Sequence, residues 1–331
     1  MVPRILVVKL SALGDLFHAV PVVHALREHF GAPIDWVTQP EYLELAGCHA
    51  DVDRVIAFPR RGKSGGWLDF SRELRRERYG LALDLQGLFK SGVVLGLCRA
   101  ERKLACARAR EGSALFAYER PVLTQSGPHA LDVLQDSLRH LGIEARAPRY
   151  PLMFPDAEPL PGKRPRLAIA PKSRWPAKDW PLEKFREVAL RLRAAHPELE
   201  LIVLGGPKDR ADGESLLRDL GAGAHNLCGL TPFLALGSQL REVDLLLCND
   251  SGPMHFAAAV GTPVVALFGP TDPARTGPVG AQHRVLRPDP GPEGYPDHRT
   301  YKLPGNDFIS RLTVEEVATA AEEGLGFKPS W

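Results

Sequence analysis

Short apolar runs alternate with amphipathic stretches along most of the 331-residue chain, and two periods can be told apart. RILVVKL (Arg4 to Leu10), IDWVTQ, DRVIAFP and LALDLQG are of strand length and predict strands buried on both faces of a parallel sheet. Between the first two, Leu16, Ala19, Val20, Val23 and Leu26 recur at helical spacing, predicting a helix from about Asp15 to His29. The pattern restarts at Arg166 with RLAIAPKS, a helix from Pro181 to about Ala195, LELIVLGG, a helix, HNLCG and a helix. DLLLC (Asp244 to Cys248), a brief helix opened by Pro253 and ended by Gly261, and VVALFG (Val264 to Gly269) complete the second set. A last helix over 313–325 opens with a capping box of Thr313 and Glu316.

Arg146 to Arg166 breaks both periods with six prolines, the mark of a linker. Strand and helix patterns alternating on either side of it predict an α/β protein of two doubly wound, Rossmann-like domains facing across a cleft. The expected boundaries are 1–150 for the N-terminal domain, 151–164 for the linker and 165–331 for the C-terminal domain, with the last helix packing back on the first domain.

Composition narrows the class. With 44% hydrophobic and 25% charged residues the chain reads as a soluble globular protein, and a net charge of +2 does not indicate nucleic acid as a partner. The five cysteines are scattered without a Cys-x-x-Cys pair, which suits free thiols in a reducing compartment. No signal segment and no membrane span is read, so the expected location is cytoplasmic.

Candidate chemistry gathers where strands turn into helices. NDSGPMHF (Asn249 to Phe256) is such a turn, and the free N–H groups of a helix start attract anions. Asp250 or Ser251 could equally be no more than caps, and His255 a first-turn surface residue. The two halves open alike, the first strand of each ending in a lysine and a serine: Lys9 and Ser11, Lys172 and Ser173. Asp15, in the first strand-to-helix turn, is either a cap or a cleft carboxylate. Asp51-Val-Asp53 matches a bare metal-binding triplet but falls on a loop entering a strand, and such triplets are common. Two basic stretches stand out, Arg60 to Arg78 with seven Lys/Arg against three Asp/Glu, and Arg99 to Arg110 with five against one. Solvated helix faces usually explain such runs.

SALGDLFHAVPVVHALREHF, SRWPAKDWPLEKF, VLGGPKDR and DSGPMHFAAAVGTPVVALFGPTDPARTGPVG, in this order, resemble the ADP-heptose:lipopolysaccharide heptosyltransferases of glycosyltransferase family 9. The resemblance implies a GT-B fold and an inverting transfer with no metal and no cofactor. It implies a nucleotide-sugar donor, ADP-heptose, in the C-terminal domain. The acceptor, in the N-terminal domain, would be an anionic Kdo-lipid glycolipid of the lipopolysaccharide inner core at the inner membrane face. It makes Asp15 the catalytic base with Lys9 beside it. Donor contacts would come from Ser173, Arg174, Lys178 and Asp209, and from Asp250, Ser251, Gly252 and His255, with Asp250 on sugar hydroxyls. Ser11, Arg60, Arg61, Lys63 and Arg120 would meet the acceptor. The chain departs from many relatives in 294–317, which holds no cysteine. A bilobal sugar-binding protein and a nicotinamide-dependent dehydrogenase remain as alternatives; the latter needs a Gly-x-Gly-x-x-Gly turn, which SALGDL does not supply.

Overall fold

Strands as apolar as Ile5–Val8 need cover on both faces, and a parallel sheet with helices on each side provides it. A computed structural model describes residues 3–59, 66–109, 112–122, 127–144, 146–291, 294–295 and 308–327. The chain divides into two units, 1–153 and 154–331, so the proline-rich segment past Met153 belongs to the second.

The first unit runs β1 (Ile5–Val8), α1 (Leu13–Phe30), β2 (Ile34–Thr38), α2 (Leu43–Gly47), β3 (Arg54–Ala57), α3 (Trp67–Leu74), β4 (Tyr79–Asp84), α4 (Phe89–Leu97), β5 (Ala100–Leu104) and α5 (Ala130–His140). Its five strands are all parallel, in the order β3-β2-β1-β4-β5. Strand order reverses at β1, so the loops after β1 and β4 open a crevice at the carboxyl edge. Leu6, Val8, Phe70, Leu74, Val94 and Leu95 form the core beneath one face.

The opposite edge carries a polar clasp. Asp35 of β2 is fully buried and accepts from Arg4 at 2.6 Å, Arg54 at 2.5 Å and Tyr79 at 2.8 Å. Burial, then the Asp35 carboxylate, pushes the Tyr79 hydroxyl above its ordinary value.

The second unit runs β6 (Arg166–Ala170), α6 (Leu182–Ala195), β7 (Glu200–Val203), α7 (Arg210–Leu216), β8 (Ala224–Asn226), α8 (Ala235–Leu240), β9 (Leu245–Asn249), α9 (Gly252–Val260), β10 (Val264–Leu267), α10 (Pro273–Thr276), β11 (Arg284–Leu286) and α11 (Val314–Gly324). Its sheet is also parallel, ordered β11-β10-β9-β6-β7-β8, with the reversal between β6 and β9. Gly261 ends α9 at φ 85°, a left-handed conformation that favours glycine.

The last helix is seated in the second core, and two other expectations are corrected. Val317, Ala318, Ala320 and Ala321 of α11 are buried in the core of the second unit. Trp180 Nε1 and Lys184 Nζ both donate to the Leu312 carbonyl just ahead of it, at 3.2 and 3.0 Å. The basic run Arg99 to Arg110 contains β5 rather than a helix face, because a sheet-edge strand tolerates exposed Glu101 and Arg102. The first helix starts at Leu13, with Ala12 at the N-cap position and Asp15 at the third helical position.

Candidate functional site: the switch-point loops of each unit

In the first unit, Asp84 at the end of β4 builds the loop that faces β1. Its Oδ1 accepts from the Gln86 and Gly87 N–H groups at 2.8 and 3.0 Å, and the Ser91 hydroxyl donates to Oδ2 at 2.9 Å. Burial raises the Asp84 pKa, opposed by those hydrogen bonds and by the charge of Lys9. Gly87 has φ 75°, and a Cβ there would lie 3.1 Å from the Arg108 carbonyl, so the turn needs glycine. The loop so held reaches back to β1. Gln86 Oε1 accepts from the Leu10 and Ser11 N–H groups, both at 2.9 Å, and the Leu85 carbonyl accepts from the buried Lys9 Nζ at 2.8 Å.

Asp15 stands across from this loop at the start of α1, its Oδ2 accepting the Ala12 N–H at 3.0 Å. Lys9, Asp15, His18, Gln86, Cys106 and Arg108 line one cavity of about 250 Å³, together with Val133 and Leu134 of α5. The structure thus brings Lys9 and Asp15 to one cavity but forms no ion pair between them among the described residues; the Leu85 carbonyl holds the ammonium instead. Ser11 is half-buried beside it, and Arg120 is exposed and outside the cavity lining. Arg60, Arg61 and Lys63 lie outside the described residues. The cations at Asp15 are Lys9 and Arg108. Arg108 escaped sequence reading because it sits in a charge run with an ordinary explanation, and His18 and Gln86 because only the fold places them there. Asp51 and Asp53 have structural partners: His24 Nδ1 lies 2.7 Å from Asp51, and Asp53 accepts from Ile34 N and pairs with Arg27.

In the second unit, the loops after β6, β9 and β10 meet. Lys178 Nζ donates to Asp250 Oδ2 at 2.5 Å, and the Thr271 hydroxyl donates to the same oxygen at 2.7 Å. Lys178 also lies 5.0 Å from the centre of the Trp175 ring. The β6 loop is shaped by Asp179, which accepts the Ser173 N–H at 2.8 Å and pairs with Lys172 at 3.4 Å. Asn249 at the end of β9 fastens it, accepting from Trp180 N at 3.1 Å and donating to the Pro171 carbonyl at 2.7 Å. Trp180 is buried.

Asp250 Oδ2 is the shared partner of Lys178 and Thr271, and its carboxylate is nearly buried at the start of the turn into α9. Ser251 occupies the N-cap position of α9 without a side-chain cap bond, and its buried Oγ has no hydrogen-bond partner among the described residues. Gly252 opens the helix and His255 is buried in its first turn. Ser173 donates its hydroxyl to the Trp175 carbonyl at 2.8 Å, and Arg174 is exposed. Asp209 accepts the Gly206 N–H at 2.8 Å on the loop after β7. Chemically, the cavity of the first unit offers a carboxylate acceptor for a proton among basic side chains. The second unit offers an ammonium and a helix start to an anion.

Residues 67–294 match the family model described as glycosyltransferase family 9 (heptosyltransferase). The chain is 27% identical over 334 residues to the lipopolysaccharide core heptosyltransferase OpsX of Haemophilus influenzae, with 94% of each covered. It is 31% identical over 316 residues to lipopolysaccharide heptosyltransferase 1 of Pseudomonas aeruginosa, covering 86% of this chain and 84% of that one. Among solved structures, the E. coli heptosyltransferase WaaC with ADP aligns with a TM-score of 0.79 at 22% identity, covering 97% of this chain and 99% of that one. A family 9 glycosyltransferase from Veillonella parvula aligns at 0.81 and 22% identity, covering 98% and 97%. The structural likenesses establish a GT-B fold, and the sequence matches establish kinship: this chain, an enzyme and not a binding protein or dehydrogenase, belongs to glycosyltransferase family 9.

Proposed function

We propose that this glycosyltransferase moves a heptose from ADP-heptose to an anionic inner-core acceptor of lipopolysaccharide, inverting the anomeric centre without a metal ion. The observation that carries the reading is the Asp15 cavity: a family 9 chain here sets an aspartate and the cations Lys9 and Arg108 around one space.

The reaction is one displacement. Asp15 takes the proton of the acceptor hydroxyl as its oxygen bonds to the anomeric carbon, and the bond from that carbon to the diphosphate breaks. The electron pair leaves on a phosphate oxygen, whose growing charge meets Lys178 and the start of α9. Ser173, Arg174, Asp209, Gly252 and His255 complete the donor contacts, with Ser251 Oγ as a free hydroxyl for them. Asp250 holds Lys178 in place until diphosphate competes for it. On the acceptor, Lys9, Ser11 and Arg108 meet its anionic sugar, and Arg60, Arg61, Lys63 and Arg120 its outer charges.

Among the described residues, no helix is long and apolar enough to cross a membrane. Exposed Trp67, Leu68, Phe89, Leu115 and Tyr118 support a peripheral meeting with the lipid-borne acceptor at the cytoplasmic face.

The test is a transfer assay with ADP-heptose and a Kdo-lipid acceptor in anionic or neutral vesicles. ADP should appear only with acceptor, the new linkage should be inverted by NMR, and activity should survive excess EDTA. Loss on chelation with recovery on Mg²⁺ or Mn²⁺ would sink the metal-free step, and a retained anomer the single displacement. Use of another nucleotide-sugar alone would replace the donor, and equal rates on both vesicles would remove the membrane contact.

A further inference from the structure

A second cavity of the first unit, about 550 Å³, lies along the C-terminal half of α1, the end of α5 and the chain that follows it. It has more than twice the volume of the cavity at Asp15. His24, on its wall, is nine residues beyond Asp15 on α1, about 14 Å along the helix axis. The cavity is therefore separate from the reaction centre.

Its chemistry is mixed in a particular way. Pro21, Ala25, Leu138 and Ile143 supply an apolar wall. Glu28, Glu144, Arg146 and Arg149 also line the cavity, with Glu28 loosely paired to Arg149 at 3.8 Å, so the charges on the wall balance. Two polar groups on the wall are left open. Gln135 is 9% exposed, and its side-chain amide forms no hydrogen bond with any described residue. His24 is fixed by Asp51, 2.7 Å from Nδ1, while its buried Nε2 lies 3.5 Å from Glu28 Oε1 without hydrogen-bond geometry. The buried His24 Nε2 left unmatched costs stability, and the Gln135 amide, reaching the cavity without a described protein partner, is open to water or a ligand.

We propose that this cavity is a second carbohydrate site that takes a neutral pyranose unit. A sugar ring presents an apolar C–H face to the half-buried Ala25 and Pro148 and hydroxyls that both donate and accept. The Gln135 amide needs one partner of each kind, the Glu28 carboxylate accepts, and Arg149 donates. The volume falls in the ordinary range of small-molecule sites, roughly 300 to 1,000 Å³. An inorganic anion would lack the apolar complement, and a hydrocarbon would leave Gln135 and Glu28 unsatisfied. The sugar is either a distal unit of the acceptor glycan or a free saccharide; only the first source rests on the transferase reading above.

Saturation-transfer NMR on the full chain, with excess ADP occupying the nucleotide site, tests the site directly. The probes are free heptose and methyl mannoside. Wild type should show saturation transfer to both. Gln135→Leu, which fills the same volume without polar atoms, should weaken binding by about tenfold or more while the melting temperature holds or rises. Glu28→Gln, altering no shape, should weaken it as well. Absence of saturation transfer to the wild type, or equal affinity in both variants, would overturn the proposal. Acceptors of two lengths then assign the source: a KM raised by Gln135→Leu only for the longer glycan identifies the acceptor, and unchanged KM values with lost monosaccharide binding identify a free sugar. Neither variant touches the Asp15 cavity, so a failed transfer assay with intact NMR binding would count against the transferase reading alone.

Discussion

At the third position of α1, Asp15 serves two ends at once: its carboxylate accepts the Ala12 N–H and faces the cavity shared with Lys9. The substitution Asp15→Asn separates these uses. An amide oxygen still accepts from Ala12, so stability should change by less than about 1 kcal/mol. An amide cannot take a proton, so kcat should fall by roughly 10² to 10⁴ with donor affinity kept. A kcat within about threefold of wild type at saturating acceptor would clear Asp15 of the role. Lys178 makes a different demand, because it is coupled. Lys178→Ala should cost about 2 to 4 kcal/mol of transition-state stabilisation, read from kcat/KM for the donor. It also strands Asp250, 7% exposed, with Thr271 alone, so the melting temperature should drop. Adding Asp250→Asn should restore melting but not donor use; recovery of both would make Lys178 a purely structural partner. Asp15 and Lys178 were legible in the sequence because their motifs are local. Thr271 was not, since its link to Asp250 spans 21 residues and depends on neighbouring β9 and β10.

Elements are tied together by groups that titrate. His49, in the connection from α2 to β3, accepts the Asp51 N–H on Nδ1 at 3.1 Å and donates from Nε2 to the Val20 carbonyl of α1 at 3.1 Å. That pairing fits only the neutral ring. Burial is the main cause that lowers its pKa from 6.5 to about 4, with the Val20 carbonyl and Asp51 opposing and His24 and Arg27 assisting. A base whose pKa is depressed by folding costs stability once the unfolded chain binds the proton first. The native state should therefore lose stability as pH falls through the window from 6.5 to about 4, relative to His49→Gln. Denaturant midpoints of both proteins across that window are the measurement, and a pH-independent difference would refute the claim. The strongly apolar strands were readable because burial on both faces leaves a continuous run. β5 and β11 were not, being short, charged sheet edges in which periodicity has no room to appear. α11 was recognised as a helix from its capping box, but its partner surface is a tertiary matter, set by the small side chains it offers to the second core.

Over the whole molecule, the same layout is used twice, each sheet reversing its strand order where the polar loops gather. The doubling was legible because the alternation stops at the prolines and begins again. The place of division, between Met153 and Phe154, was less so, since proline content marks irregular backbone and not which core an adjoining side chain enters. Phe154 illustrates this: a Cβ on Gly237 of α8 would lie 2.3 Å from its ring, so the segment's first residue is already packed into the second unit. The clasp around Asp35 carries a consequence for how one arrangement is chosen among many. Arg4 leads into β1, Arg54 opens β3 and Tyr79 opens β4, so strands distant in sequence converge on a single carboxylate of β2. Any swap of neighbours, or a slip of one residue that turns Asp35 to the other face, strands a charge in the interior. Competing sheets with equally greasy strands are thereby penalised, and the loops that shape the crevice at the far end of those strands inherit their alignment from a carboxylate that never meets a substrate.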